Sequence, residues 1–322
     1  MEDGGAFLPL QAEIQARGRP LRLPLALDIR HLLTVTVAAV YVLVVLGGVV
    51  RATGASLACP DWPLCGDSIL PPLERLVLIE YAHRVLAALV GVLVLASAGV
   101  ALWRHRHRRA LVVGTVAGVL LVVAQALIGR EAVEQEMPAP LRAAHLAMAL
   151  LTLASLIMAT VDAWHMYRSR WAVGPVVAAL GVLALNLMGS FVANLGAGLA
   201  YGDWPLFGGK LVPSSHHLGQ LHYAHRLFAA ALGIGLVALV WHVRRYGGWA
   251  VGLGLLALLL YLAQVMVGAA NVWLRLATPA RVAHLALAAA VWGVLVVMAL
   301  GNPPPVSQER GAARAKRLIA NR

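Results

Sequence analysis

The sequence predicts an all-α integral membrane protein whose eight transmembrane helices form two pseudo-symmetric four-helix bundles. Composition supports the membrane class, because 61% of the 322 residues are hydrophobic and only 12% are charged. Eight apolar runs are each about twenty residues long, the length that a helix needs to cross the hydrocarbon core of a bilayer. An internal duplication predicts the two bundles, since residues 47–58 recur in recognisable form at 189–200.

The eight spans follow one another with short connections, which favours helices that are antiparallel to their neighbours. Their predicted bounds are, in chain order, 31–50, 76–102, 110–129, 141–164, 172–195, 218–242, 249–270 and 280–300. Residues 31–164 are expected to form the first bundle and 172–300 the second, joined by a cytoplasmic linker at 165–171. Residues 1–30 are predicted to be a cytoplasmic leader without a removable signal peptide, and 301–322 a disordered basic tail.

The duplication extends through the helices and the outer loops. The segment DWPL at 61–64 returns at 203–206, and YAHR at 81–84 returns at 223–226, both at an offset of 142. LRAAHLA at 141–147 returns as ARVAHLA at 280–286, at an offset of 139. Each repeat holds an even number of helices, so both halves are expected to cross the membrane in the same direction.

Arginine distribution predicts the orientation. RHRHRR at 104–109, the Arg244/Arg245 pair and the basic tail all fall on one side of the predicted membrane. The positive-inside rule places both termini in the cytoplasm of a cell whose plasma membrane the chain spans. The formal charge of +12 is then explained by orientation and by attraction to anionic membrane lipid, and no nucleic-acid partner is expected.

Four histidines recur at one depth, one in each of four spans: His83, His145, His225 and His284. All lie roughly 7–12 Å below the outer helix ends, by the rise per residue of a helix. Helices 2 and 4 are expected to face each other across one bundle, and helices 6 and 8 across the other. A facing pair of imidazoles in an apolar bundle can hold a haem iron axially, whereas a structural zinc site takes four ligands. The alternative is four hydrogen-bonded core histidines.

Arg84 and Arg226 each follow a candidate ligand directly. Near the outer end of a span, an arginine needs either a carboxylate or access to water. Haem propionates would supply carboxylates that suit a guanidinium, and snorkelling to water is the alternative. Gln125 and Gln264, each four residues before a glycine, indicate the inward faces of helices 3 and 7.

The two halves differ at one chemically important position. Helix 2 carries Glu80 three residues before His83, where helix 6 carries His222 before its own histidine. Residues three apart share a helix face, so the Glu80 carboxylate is expected in the same cavity as the imidazole. It could handle a proton or stabilise positive charge, or form a structural ion pair with Arg51 or Arg84. The first half is therefore predicted to be reactive and the second to hold a resident redox centre.

The only cysteines, Cys59 and Cys65, bracket PDWPL in the first outer loop. The outer side is oxidising in bacteria, so a disulfide can form there. A structural disulfide is the first interpretation, a redox-active disulfide the second, and a metal site the third.

The segment GGVVRATGASLACPDWPLC followed by IEYAHR resembles the N-terminal half of haem A synthases, membrane enzymes that convert haem O to haem A for cytochrome oxidase. The resemblance covers roughly residues 31–300. Members of that family have eight helices in two four-helix bundles. A low-spin haem b occupies their C-terminal half, and the substrate haem binds their N-terminal half.

The resemblance implies a role for each of these residues. It implies that His225 and His284 ligate haem b and that His83 and His145 hold the substrate haem O. Glu80 matches the family's essential glutamate, and Cys59 with Cys65 matches its disulfide pair.

The expected activity is oxidation of a haem O methyl group to a formyl group. Partners left open are an electron acceptor or donor such as quinone, a haem O synthase, and further copies of the chain. A bis-histidine b-type cytochrome that takes electrons from quinol and a haem transporter are the alternatives.

Overall fold

A computed structural model describes residues 28–59, 62, 65, 71–135, 138–166, 172–213, 216–246 and 248–301. The predicted leader, linker and basic tail lie almost wholly outside the described residues. Within them, eight long α-helices follow one another along the chain. They are α1 (Ile29–Thr53), α2 (Arg75–Arg104), α3 (Arg109–Glu134), α4 (Ala139–Ala163), α5 (Val173–Asn194), α6 (His217–Val243), α7 (Gly248–Trp273) and α8 (Thr278–Leu300).

All eight helices contain an apolar stretch that is long enough to cross a membrane. The predicted all-α class and the eight predicted spans are therefore confirmed, and the chain is a multi-pass membrane protein.

Helices α1 and α5 end in the same way. Gly54 and Gly196 follow them with φ angles of 78° and 76°, a left-handed conformation in which a Cβ atom would be strained. A short 3₁₀ turn follows each glycine, at Ala55–Leu57 and at Ala197–Leu199. Both helices thus deliver an interhelical loop to the same end of the molecule, which also carries Cys59 and is called the disulfide end below.

Each half is a closed ring of four helices. In the first half α1 contacts α2 and α4, and α3 also contacts both of them. In the second half α5 contacts α6 and α8, and α7 contacts both of these. The two members of each histidine-bearing pair, α2 with α4 and α6 with α8, therefore lie diagonally across a ring, as expected from the sequence.

The two halves meet through α1, α4, α5 and α8. Helix α4 contacts α5 and α8, and α1 contacts α8. Among the hydrogen bonds that cross this interface, Trp292 Nε1 donates to the Leu150 carbonyl at 2.8 Å, and the Tyr41 hydroxyl donates to the Ala286 carbonyl at 3.1 Å. Leu150 is fully buried, so the interface is part of the protein core.

Helices α3 and α4 approach each other most closely near the end opposite the disulfide. A Cβ atom on Gly114 would lie 2.6 Å from the Ser155 carbonyl oxygen and 2.9 Å from the Ala159 nitrogen. One on Gly118, a turn further along α3, would lie 3.0 Å from a methyl group of Leu156. Small residues spaced by four on one helix allow this backbone contact inside a bilayer.

Candidate functional site

The four candidate ligand histidines lie toward the disulfide end, on α2, α4, α6 and α8. Their rings are half-buried, and in each the Nδ1 atom is buried without a hydrogen-bond partner. A buried polar nitrogen without a partner costs free energy, so four of them in one pattern call for an explanation. The four residues are His83, His145, His225 and His284.

Every one of these rings packs edge-on against a glycine of a neighbouring helix. A Cβ atom on any of the four glycines would lie 3.1–3.3 Å from the Cε1 atom of its histidine, closer than ordinary van der Waals contact. The contacts join Gly47 to His83, Gly129 to His145, Gly189 to His225 and Gly268 to His284. Because the partners recur at offsets of 142 and 139, both halves use the same packing device.

The histidines are neighbours within each half. The two imidazoles of each pair, His83 with His145 and His225 with His284, lie close enough to interact electrostatically. Backbone carbonyls of α3 and α7 also approach the rings on α4 and α8, at Gln125 and Gln264 respectively, four residues before the contacting glycine.

The donor set fits a haem in each bundle. Two half-buried imidazoles on diagonally placed helices can ligate an iron from opposite sides. Among the described residues, no group of three or more histidine, cysteine or acidic side chains lies close enough to hold a metal ion by itself. Axial ligation of a macrocycle therefore suits these pairs better than a zinc site.

Glu80 is buried in α2, one turn nearer the disulfide end than His83. The Arg84 Nε atom donates to the Glu80 carboxylate at 3.0 Å, and another guanidinium nitrogen of Arg84 donates to the Cys59 carbonyl at 3.1 Å. Of the two arginines expected as partners for Glu80, Arg84 fills that role, whereas Arg51 donates to Asn194. Arg84 thus links the Glu80 carboxylate to the first outer loop through the Cys59 carbonyl.

The second half repeats this scaffold around a different acceptor. His222 is buried, and its Nε2 accepts from Arg226 Nε at 3.0 Å. Arg226 also donates to the carbonyls of Asp203 and Leu206 in the second loop, at 3.0 and 3.1 Å. Protein groups therefore contact both Arg84 and Arg226, and their predicted contact with haem propionates remains a prediction. The other terminal nitrogen of Arg226 is buried without an acceptor and suits such a contact.

Asp203 stabilises a tight turn within the second loop. Its carboxylate accepts from the backbone N–H groups of Gly208 and Gly209, both at 2.8 Å, and both glycines have positive φ. These two hydrogen bonds lower the pKa of the exposed Asp203 carboxyl. The contribution to loop stability is therefore present above the ordinary pKa of aspartate and is lost as pH falls through the lowered value.

Cys59 and Cys65 form a disulfide with a Cα–Cα distance of 4.8 Å, which confirms the predicted pairing. Both residues are buried, against Val77 and Tyr81 of α2. At an offset of 142, their counterparts are Tyr201 and Phe207, whose rings form an edge-to-face pair at 5.4 Å. One loop is thus closed covalently and the other by aromatic packing.

Sequence reasoning used Gly129 and Gly268 only as markers of inward helix faces, and it missed the contacts that all four glycines make with the histidines. It also missed Arg142 and Arg281, which lie at the interface between the halves. The glycines could have been found, because their offsets equal those of the histidines. The same is true of Arg142 and Arg281, which lie within the repeated segments LRAAHLA and ARVAHLA. Contacts between helices, by contrast, have no signal in one sequence.

Fold and site together define the class: a multi-pass membrane protein with a pair of half-buried histidines in each of two adjoining four-helix bundles. The family described as cytochrome oxidase assembly protein (COX15-CtaA) matches residues 30–76 and 73–296. The chain belongs to this family.

Curated relatives are similar over most of their length. The heme A synthase of Symbiobacterium thermophilum is 30% identical over 289 residues, which cover 80% of this chain and 90% of that protein. That of Alkalihalophilus pseudofirmus is 26% identical over 280 residues, covering 83% and 94% respectively. That of Parvibaculum lavamentivorans is 29% identical over 318 residues, covering 80% and 90%.

Proposed function

We propose that the chain is a haem A synthase, an enzyme that oxidises a methyl group of haem O to a formyl group. Family membership and the names of the relatives support this activity. The observation that carries it is a pair of equivalent sites that differ in one group, because a carboxylate at Glu80 stands where the second half has His222.

The first-half site is the proposed place of reaction, with haem O as substrate at His83 and His145. The second-half site would hold haem b as resident cofactor, between His225 and His284. Bound haem supplies the iron redox chemistry that oxidation of an unactivated methyl group needs. The protein supplies position, electrostatics and exclusion of water.

Glu80 is proposed to accept protons and to stabilise positive charge that develops beside the substrate ring. In net terms, methyl plus water gives formyl, four protons and four electrons; the electrons leave to an external acceptor of the quinone class. Arg84 orients the Glu80 carboxylate through the 3.0 Å ion pair and anchors it to the loop through the Cys59 carbonyl. The closed loop and the apolar helices limit access of water.

A membrane b-type cytochrome and a haem transporter are less well supported. Neither function gives a reason for a buried carboxylate in one site only. The relatives' names also favour an enzyme.

We further propose a plasma-membrane location with both termini in the cytoplasm and the disulfide end outside. The disulfide suits an oxidising compartment. The arginine-rich segment at 104–109 lies at the opposite end of the helices, where the positive-inside rule puts cytoplasm.

Haem analysis tests the function. Cells that make haem O but no haem A are given the gene, and extracted haems are identified by mass. The wild type should produce haem A. Glu80→Gln keeps shape but not charge, so it should retain the haem b spectrum and make about a hundredfold less haem A per haem b.

The control for this variant is Glu134→Gln, which removes an exposed carboxylate paired with Arg130 at the same end of the molecule. It should behave like the wild type. Equal haem A per haem b in Glu80→Gln would exclude the catalytic role. Absence of haem A from the wild type would exclude the function.

A further inference from the structure

Three arginines converge at the disulfide end, where α1, α4, α5 and α8 meet. Arg51 donates through two nitrogens to the Asn194 amide oxygen, at 3.2 and 3.0 Å. Arg142 donates to the same oxygen at 3.4 Å, and Arg281 donates to the Ala52 carbonyl beside Arg51 at 3.0 Å. Arg51, Arg142 and Arg281 are called the interface arginine cluster below.

Among the described residues, no carboxylate forms an ion pair with the cluster. The charges of Arg142 and Arg281 both act on Arg51. The cluster is half-buried, and the Arg142 Nε atom is buried without a partner. Three like charges held together by neutral acceptors, the Asn194 amide and the Ala52 carbonyl, repel one another, and a bound anion would offset the repulsion.

Each arginine is one helical turn from a haem pocket. Arg142 lies three residues before His145, and Arg281 three residues before His284, so each shares a helix face with a candidate ligand. Both lie on the disulfide-end side of that ligand. Arg51 lies four residues after Gly47, the glycine that touches His83.

Arg51 also has a connection to the second half. Its hydrogen-bond acceptor, Asn194, belongs to α5, the helix whose Gly189 touches His225. The position of Arg51 between the bundles thus allows its charge to act on both pockets.

We propose that the interface arginine cluster binds the propionate carboxylates of both haem groups, with Arg142 serving the first-half site, Arg281 the second-half site and Arg51 both. The proposal rests on the proposed function to the extent that both pockets hold haem. The phosphate of a lipid headgroup offers similar anionic oxygens. The position of two arginines one turn from the candidate ligands favours the propionates.

The test uses purified full-length protein titrated with haem b, with binding followed by Soret absorption. His83→Ala leaves the second-half site to be measured, and His225→Ala leaves the first. Arg281→Gln should weaken the second-half site alone, and Arg142→Gln the first-half site alone, by about tenfold to a hundredfold for one lost charged hydrogen bond. Arg51→Gln should weaken both sites.

A second readout is the midpoint potential of the bound haem. Loss of a nearby positive charge disfavours the reduced iron, so the potential should become more negative wherever affinity falls. Arg130→Gln is the matched control, because Arg130 is an exposed arginine at the same end whose partner is Glu134. It should change neither the affinity nor the potential at either site.

A third readout needs no substitution. Haem b whose propionates are esterified should bind the wild type more weakly than free haem b, by a similar factor, and should not respond to the arginine substitutions. Equally tight binding of the ester would overturn the proposal. So would an Arg51→Gln variant that changes only one site or neither.

Phosphorus analysis distinguishes the lipid source. Phospholipid that co-purifies with the wild type and is lost from the arginine variants, with unchanged haem binding, would overturn the proposal in favour of a headgroup site. Wild-type protein that binds no haem would overturn both this proposal and the proposed function. The expected affinity pattern without haem A formation would overturn the function alone.

Discussion

At each candidate iron ligand, a glycine on the neighbouring helix determines how close the imidazole can lie to that helix. The gap from a built Cβ atom to the ring is 3.1 Å at Gly268 and 3.2 Å at Gly129. A methyl group there would move the ring by a few tenths of an ångström. Ligand geometry at iron is sensitive to such shifts, because the ring must keep both its distance and its orientation.

Gly268→Ala is therefore expected to displace His284 and to reduce the low-spin haem b spectrum. The effect cannot come from the helix itself, because alanine favours a helix over glycine by about 0.5–1 kcal/mol. Gly235→Ala is the control, since nothing lies within 4 Å of its added Cβ. The absorption spectra of both purified variants test this expectation. His284→Ala is the reference for complete loss of the low-spin haem b spectrum. Identical spectra for Gly268→Ala and Gly235→Ala would contradict it.

The candidate site residues stand out in the sequence because the duplication marks them. His83 and His225 repeat at a fixed offset, and Glu80 interrupts the repeat where His222 replaces it. The choice of Arg84 over Arg51 as the partner of Glu80 was open to prediction, because Arg84 lies four residues after Glu80 on the same helix. The second contact of Arg84, with the Cys59 carbonyl, could not be predicted, because loop geometry of this kind has no periodic signal.

The two loops at the disulfide end show that one element can be closed in two ways. The first loop uses the bond between Cys59 and Cys65, and the second uses the contact between Tyr201 and Phe207. In both, an arginine of the following helix donates to loop carbonyls. Closure of a loop at this end of the molecule therefore does not require a covalent link.

Replacing both Cys59 and Cys65 with alanine should destabilise the protein by about 2 kcal/mol, as expected for loss of a short disulfide loop. The affinity of the first-half site for haem should fall more than the affinity of the second-half site. Thermal unfolding in detergent measures the loss of stability, and haem titration of each site shows which half of the molecule is affected. Phe207→Ala is the corresponding change in the second loop. It should lower the haem affinity of the second-half site more than that of the first, because Arg226 lies over the Phe207 ring. A double alanine variant with unchanged unfolding and unchanged binding would contradict the expectation.

Hydropathy predicted that each of the eight helices exists, but it did not predict the residues at which the helices end. The first span was predicted to end at residue 50, whereas α1 continues to Thr53. Hydropathy falls at Arg51, but the helix is ended by Gly54, whose left-handed conformation closes the last turn. Capping residues determine where a helix ends, whereas hydropathy reports only where an apolar run ends.

At the scale of the whole molecule, the sequence predicted two bundles side by side but not the helices that join them. Within a bilayer, a helix face toward lipid and a face toward another helix are both apolar, so hydropathy cannot separate them. Close packing and a few hydrogen bonds do so instead. A Cβ atom on Gly48 of α1 would lie 2.8 Å from a methyl group of Leu285 on α8.

Trp292→Phe should weaken the interface between the halves. It removes the indole N–H that donates to the Leu150 carbonyl, and the loss of one such hydrogen bond costs about 0.5–1.5 kcal/mol, because the carbonyl keeps its helical partner. The melting temperature in detergent should fall by roughly 1–6 °C. Trp241→Phe is the control, because Trp241 is 66% exposed. Equal melting temperatures for the two variants would count against a stabilising role for this hydrogen bond.

The close contact between α3 and α4 has a consequence for biogenesis. Apolar burial cannot bring two helices together inside lipid, so helices that associate early must do so through complementary shape. Gly114 and Gly118 provide that shape against Ser155 and Ala159. The α3–α4 hairpin can therefore assemble as soon as both of its helices have entered the bilayer. The remaining helices of the first half would then dock onto a preformed nucleus.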